Sequence, residues 1–239
     1  MQVGDGDVDN AYWGGDQGLP TPRPSYQINA TKCVRGRLRF SNCIADPFCS
    51  PGTDAAAQAS AAFSACSALY AGRALSSLSP AASLSNSSYA STLLQHAQQL
   101  YSFANNTQQQ TYQKAVPSVA NAYSSSGYQD ELVIAELFLA LASNSSDMYS
   151  QAVNDYAAFH LSDQVTHAGD EQVLNWDSKA PGAVILGAQI NRAYPGLAST
   201  AANAVDWSHD AAQYMDLVTT GSGRGSFTNG KYCVSNDKT

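Results

Sequence analysis

DNAYWGGDQGLPTPRPSYQIN, residues 9–29, is followed at 51–70 by PGTDAAAQASAAFSACSALY, and the two together decide the fold. The first stretch is too irregular for a helix, because Gly14, Gly15, Gly18, Pro20, Pro22 and Pro24 punctuate it. It nevertheless carries Tyr12, Trp13 and Tyr26, which a solvated linker would not need. In the second stretch Thr53 or Asp54 can cap a helix, and Ala55 to Tyr70 has high helix propensity throughout. An ordered aromatic loop leading into an Ala-rich helix is the layout of a binding surface carried by a helical scaffold.

Working outward, Tyr89 to Asn105 reads as a helix with Leu93, Leu94, Ala97, Leu100, Tyr101 and Ala104 on one stripe. Gln108 to Tyr123 is a weaker helix interrupted by Pro117. Asp130 to Ser143, with ELVIAELFLALAS, is apolar enough to be buried on most sides. Met148 to His160, Pro181 to Tyr194 and Gly196 to Leu217 read as further helices, and no alternating strand-type run stands out. Helix after helix, joined by loops rich in Tyr, Trp and Asp, is how an α/α toroid looks in sequence.

Net charge is −7 with a pI near 4.8, which argues against nucleic acid or an anionic membrane as partner. Only 13% of residues are charged, a composition suited to a secreted protein that meets a neutral polymer. No apolar run approaches a membrane span, and the acidic N-terminus MQVGDGDVDN is not a signal peptide. Glycosylation acceptors at Asn29, Asn86, Asn105 and Asn144 lend modest support to secretion. Of the five cysteines, Cys33, Cys43 and Cys49 share one segment, Cys233 is near the end, and Cys66 lies in a helix as an expected buried, inert thiol. No pair has zinc spacing, and His160 and His209 have no partner at ligand spacing.

The run DNAYWGG…PTPRPSYQIN…PGTDAAAQASAAF resembles the loop and following helix of glycoside hydrolase family 9, the endoglucanases that cut β-1,4-glucans. The resemblance implies an all-α fold, an incomplete (α/α)6 barrel with about half its helices present, and a parent enzyme that is secreted. It covers 1–230, with an interruption: CVRGRLRFSNCIADPFCS, Cys33 to Ser50, stands where the family runs straight from Lys32 to Pro51. With Arg35, Arg37 and Arg39 this segment reads either as a basic exosite loop or, preferred here, as a spurious insertion the length of a short retained intron. Gly230-Lys231-Tyr232 can be encoded with a splice donor, so 231–239 reads as an unrelated tail.

By the same resemblance Trp13 stacks on a glucosyl ring. Asn10 stands where many members have a sugar-binding His, and Tyr123 matches a cleft Tyr at a spacing one residue shorter. SGYQDEL (Ser126 to Leu132) and LNWDSK (Leu174 to Lys179) match two loops that share a structural calcium. Its ligands would be carbonyls of Ser126 and Gly127 and carboxylates of Asp130, Glu131 and Asp177, an all-oxygen set suited to a hard cation. The plainer reading is that Asp130 and Glu131 complement the dipole of the helix they open. No organic cofactor is implied.

Inverting glycosidases need an acid and a base roughly 6.5–9.5 Å apart. The family's base belongs to an Asp-Ala-Gly-Asp motif and its acid is a Glu near the domain's C-terminus. Neither matching position falls within these 239 residues, so the chain by itself is expected to be inactive. His167-Ala168-Gly169-Asp170-Glu171 echoes the first motif, but its leading Asp is a His and adjacent acids in a polar loop are usually solvated. The expected partner is β-1,4-glucan; a non-catalytic glucan-binding protein and a plain helical scaffold remain the alternatives.

Overall fold

QDELVIAELFLALAS forms helix α5, Gln129–Ser143, and the other helices are arranged around it. The computed structural model describes residues 2–15, 17–18, 21–28, 52–73, 75, 84–106, 109–167, 173–198, 205–220, 227–228 and 231–232. Leu132, Val133, Ala135, Leu137, Leu139, Ala140, Leu141 and Ala142 of α5 are all buried, which leaves no solvent face of any width. A helix apolar all round must be enclosed by its neighbours.

On one side lie α2, Thr53–Tyr70, and α3, Ser87–Asn106. Their contact is built from small residues: Ala56, Ala57 and Ala61 of α2 share one core cluster with Ala97, Tyr101 and Ala104 of α3. Close approach lets α2 hydroxyls bond across, Ser60 Oγ donating to the Ala97 carbonyl and Ser67 Oγ to that of Ala90, each at 2.8 Å.

On the other side α5 turns directly into α6, Ser146–Ala158. Asn144 takes the left-handed conformation (φ 57°) that ends α5, and Ser145 caps α6 by accepting from Met148 N. Next come α8, Ala180–Ala193, with Pro181 in its first turn, and α10, Trp207–Thr220. Trp207 is buried against Tyr156, ring centroids 4.5 Å apart. Gly187 makes this possible: a Cβ there would lie 2.4 Å from the indole.

Several expectations are corrected. The helix read over 108–123 is two 3₁₀ turns, Tyr112–Lys114 and Pro117–Val119, followed by the short α4, Ala120–Tyr123. Pro117 supplies no N–H and pushes Val116 out of the helical region, to φ −127° and ψ 78°. The helix read over 196–217 is α9, Pro195–Ala198, and then α10, whose start is capped by Asp206 Oδ1 accepting from His209 N. One turn, α7 (Asp163–Thr166), lies in the segment read as a loop.

Short strands also exist. β1, Gln2–Gly4, pairs antiparallel with β2, Ser25–Gln27, and β3, Phe227–Thr228, pairs with β4, Lys231–Tyr232. Runs of two or three residues are too short to show alternation. Between β1 and β2 the chain makes α1, Gly6–Asn10, capped by Asp5 Oδ1 accepting from Asp7 N and Val8 N.

Cys66 is exposed rather than buried. Ala62, Phe63, Cys66 and Leu69 are the exposed residues of α2 between positions 61 and 69, with the Phe63 ring 6.0 Å from His96 of α3. Phe63 and Ile28, with Leu100 and Phe103 of α3, line an apolar groove there. Among the described residues no helix is long and apolar enough to cross a membrane. The segment Cys33 to Ser50, Asn29, Asp170 with Glu171, and 233–239 lie outside the described residues.

Candidate functional site

Two loop systems meet at one end of α5. The first is the aromatic segment between β1 and β2. Its Tyr hydroxyls hold the backbone: Tyr12 donates to the carbonyls of Gly15 (3.2 Å) and Gln17 (3.0 Å), and Tyr26 donates to Asp5 Oδ2 (2.9 Å). Arg23 pairs with Asp9 at 2.7 Å across the same segment. Trp13 takes no such part and is 89% exposed. Asn10 uses its amide donor within α1, to the Gly6 carbonyl at 2.8 Å.

The α1 turn sits directly on 117–123, since a Cβ on Gly6 would meet the Ser118 carbonyl oxygen at 2.8 Å. Asn121 Nδ2 donates to Asp7 Oδ1 at 3.0 Å across that contact. The loop carrying Trp13 is thereby tied to the element that ends in Tyr123. Tyr123 is half exposed; its carbonyl accepts from the Tyr112 hydroxyl, and its ring meets Trp176 edge to face at 5.6 Å.

The second system joins the start of α5 to the loop before α8. Asp177 Oδ1 accepts from Ser126 N at 2.7 Å, and Asp130 Oδ2 accepts from Lys179 N at 2.5 Å. Glu131 is completely buried; its Oε1 accepts from Gln58 Nε2 at 3.0 Å and lies 3.8 Å from Lys179 Nζ. Its Oε2 has no partner. Burial, reinforced by the neighbouring Asp130, pushes the Glu131 carboxyl far above the usual range, while the Lys179 ammonium opposes the shift. Gly127 lies in the turn between Ser126 and Asp130, where a Cβ would meet Gln129 Oε1 at 2.6 Å.

Ser126, Gly127, Asp130, Glu131 and Asp177 are therefore gathered into one region, from two segments about fifty residues apart. Among the described residues, however, no three acidic, His or Cys side chains stand close enough to form a metal cluster.

Four supporting residues escaped the sequence reading. Gln113 grips the turn before α5, donating to the Ser125 carbonyl at 2.7 Å and accepting from Ser125 N at 3.3 Å. Asp54, buried at the start of α2, accepts from Tyr112 N at 2.9 Å, and burial raises its carboxyl. Gln58 supports Glu131. Lys179 closes the second loop by donating its ammonium to the carbonyls of Asn175 (2.9 Å) and Trp176 (2.6 Å). Lys179 had a signal in LNWDSK and Asp54 had one as a possible cap of α2; Gln58 and Gln113 are polar residues that pattern alone does not single out.

Comparison with known proteins fits this geometry. The family model described as glycosyl hydrolase family 9 matches residues 1–239. The chain is 32% identical over 186 residues to Endoglucanase 14 of Oryza sativa subsp. japonica, covering 78% of this chain and 28% of the relative. With Endoglucanase B of Cellulomonas fimi it is 30% identical over 187 residues, covering 78% and 15%. The endoglucanase of the termite Nasutitermes takasagoensis superimposes with a TM-score of 0.56 at 29% identity, over 84% of this chain and 38% of that one. The catalytic domain of Clostridium thermocellum CelT, at 21% identity, shares the fold with a TM-score of 0.61 over 92% and 39%. The chain thus spans about a third or less of the curated relatives it matches, and its helices make an incomplete (α/α)6 barrel. With an aromatic loop, helix order and whole-length match all in agreement, the chain belongs to glycosyl hydrolase family 9.

Proposed function

We propose that this chain is the glucan-holding middle of an endo-β-1,4-glucanase catalytic domain, whose whole enzyme cleaves internal β-1,4-glucosidic bonds with inversion, outside the cell. The observation that carries the reading is Trp13, 89% exposed on a loop whose other aromatics are committed to internal hydrogen bonds. A large apolar ring left in water on a braced backbone suits the C–H face of a sugar. Asn10 and Tyr123 extend this surface. The names of the relatives, endoglucanases of plant and bacterium, support the same substrate class. In native gels cast with carboxymethylcellulose the chain is expected to be retarded, and Trp13→Ala should weaken retention about threefold to tenfold. A wild-type chain that migrates as in a glucan-free gel would sink the reading.

A structural calcium ion is part of the proposal, with Ser126, Gly127, Asp130, Glu131 and Asp177 as its holders. What supports it is donor chemistry: all the donors are oxygens and Glu131 Oε2 is buried without a hydrogen-bond partner, and the three carboxylates would have to draw together to share the ion. The ion would clamp the start of α5 to the loop before α8, where Lys179 supplies positive charge beside Glu131. Bound only by the folded form, it would add about 2.7 kcal/mol at a hundredfold excess over Kd. Chelation should therefore lower the melting temperature by several degrees, and Asp177→Ala should abolish the response. An unchanged calcium response in that variant removes Asp177 from the set.

A further inference from the structure

The geometry points to a second sugar-stacking position, formed by Trp176 with Tyr123, that takes one glucosyl residue of the same β-linked glucan; it rests on the glucan-binding reading above. Trp176 and Tyr123 are 47% and 50% exposed, although one is an indole on a braced loop and the other a phenol at the end of α4. Their planes cross at 90° with centroids 5.6 Å apart. In such an edge-to-face pair one ring covers at most one face of the other, so the remaining faces are left for a ligand.

Both backbones are fixed independently of the rings. The Trp176 carbonyl accepts from Lys179 Nζ at 2.6 Å, and the following turn is closed by Asn175 Oδ1, which accepts from Asp177 N (2.7 Å) and Ser178 N (3.0 Å). The Tyr123 carbonyl accepts from the Tyr112 hydroxyl. Rings exposed by accident on mobile loops would not have this bracing; a preorganised platform loses little entropy on binding. Beside the two rings in the chain stand Asn121, Ser124, Ser126 and Asn175, all exposed and able to hydrogen-bond, while the charged neighbours Asp177 and Lys179 are engaged with backbone groups. Apolar faces beside hydroxyls and amides match a pyranose, which is apolar on its faces and polar at its edge. Two rings are far too little surface for a protein partner, which needs about 800 Å² on each side. The element that ends in Tyr123 is also tied to the loop carrying Trp13, through the contact of α1 with 117–123.

The test is a cellohexaose titration of the full 239-residue chain by calorimetry, with far-UV circular dichroism on every variant. Trp176→Ala is expected to raise Kd about threefold to tenfold, and Trp176→Phe, which keeps an aromatic face, to stay within about twofold. Trp13→Ala should weaken binding separately, and the double variant should combine both losses. If wild type binds and Trp176→Ala binds equally well, this inference falls while the glucan reading stands. If Trp176→Phe loses as much as Trp176→Ala, stacking is not the reason and the inference falls again. A wild type that does not bind overturns both. Should Trp176→Ala fail to fold, the Trp13→Phe variant decides, since Trp176 is then its only exposed indole beside the buried Trp207. Cellohexaose must quench or shift its fluorescence; an unchanged spectrum overturns the proposal.

Discussion

Carboxymethylcellulose incubated with these 239 residues alone should release no reducing sugar above background. Inversion needs a base to activate water and an acid to protonate the leaving oxygen, and each contributes on the order of 10²–10⁴-fold. Among the described residues, the carboxyl groups whose protonation is most displaced, Glu131 and Glu136, are completely buried in helix α5, where no glucan reaches them. Asp54, also raised, is buried as well and accepts backbone hydrogen bonds. Displaced protonation marks structural burial here rather than a reacting pair. The assay is to be run beside a family 9 domain that contains both the Asp-Ala-Gly-Asp motif and the C-terminal Glu. Turnover within tenfold of that control would show that the acid and base had been misplaced, and Asp170→Asn with Glu171→Gln would then be the first variants to make.

Melting temperature should fall steeply from pH 4.5 to pH 8.5, and Glu136→Gln should remove much of the fall. Glu136 accepts from the Tyr101 hydroxyl at 2.6 Å through Oε1, and its buried Oε2 has no partner. Burial pushes its carboxyl from 4.5 up to about 9; Asp155 on α6 adds to this, and the Tyr101 bond on α3 opposes it. The folded chain therefore keeps this proton at pH values where the unfolded chain has released it. Stability is fullest below the unfolded pKa and declines as pH rises through the window toward 9. Four pH units correspond to an upper figure on the order of 5 kcal/mol, or a shift on the order of 10 °C for a chain of this size. Glu131 titrates in the same direction, so a residual slope remains in the variant. Glutamine keeps the acceptor for Tyr101 without a proton to lose. The gain of Glu136→Gln over wild type should thus be near zero at pH 4.5 and largest at pH 8.5; parallel melting curves across the range would overturn the assignment.

The main helices could be read from the sequence because each is dictated locally. Of the stripe Leu93, Leu94, Ala97, Leu100, Tyr101 and Ala104, four are buried and Leu94 and Leu100 partly so, and the apolar run from Leu132 to Ala142 is buried except for the partly covered Ile134 and Phe138. Proline placed breaks and starts for the same local reason, at Pro117 and Pro181. Even so, the detail after Val116 needed the structure, because a weak helical pattern cannot say whether a turn closes as 3₁₀ or α.

The faces of α2 were not legible. Its Ala and Ser repeat gives little asymmetry, so nothing local told the buried Ala61 and Ser64 from the exposed Cys66. The roles of Tyr12 and Tyr26 were open for a similar reason: a tyrosine in an aromatic loop reads as core or as binding surface until its hydroxyl has a partner. The family motifs named Ser126 and Asp177 as neighbours, but their hydrogen bond spans 51 residues of chain, and no pattern in either segment encodes that distance. Gln58 beside Glu131, Asp54 beneath Tyr112 and Trp176 against Tyr123 likewise exist only where three helices and two loops converge. Sequence by itself determined the long helices and which loops stay aromatic, since propensity and periodicity act over a few residues. Which carboxyls lost their water, and which aromatic rings kept theirs, was decided by tertiary packing, because burial belongs to the surfaces that enclose a side chain and not to the side chain itself.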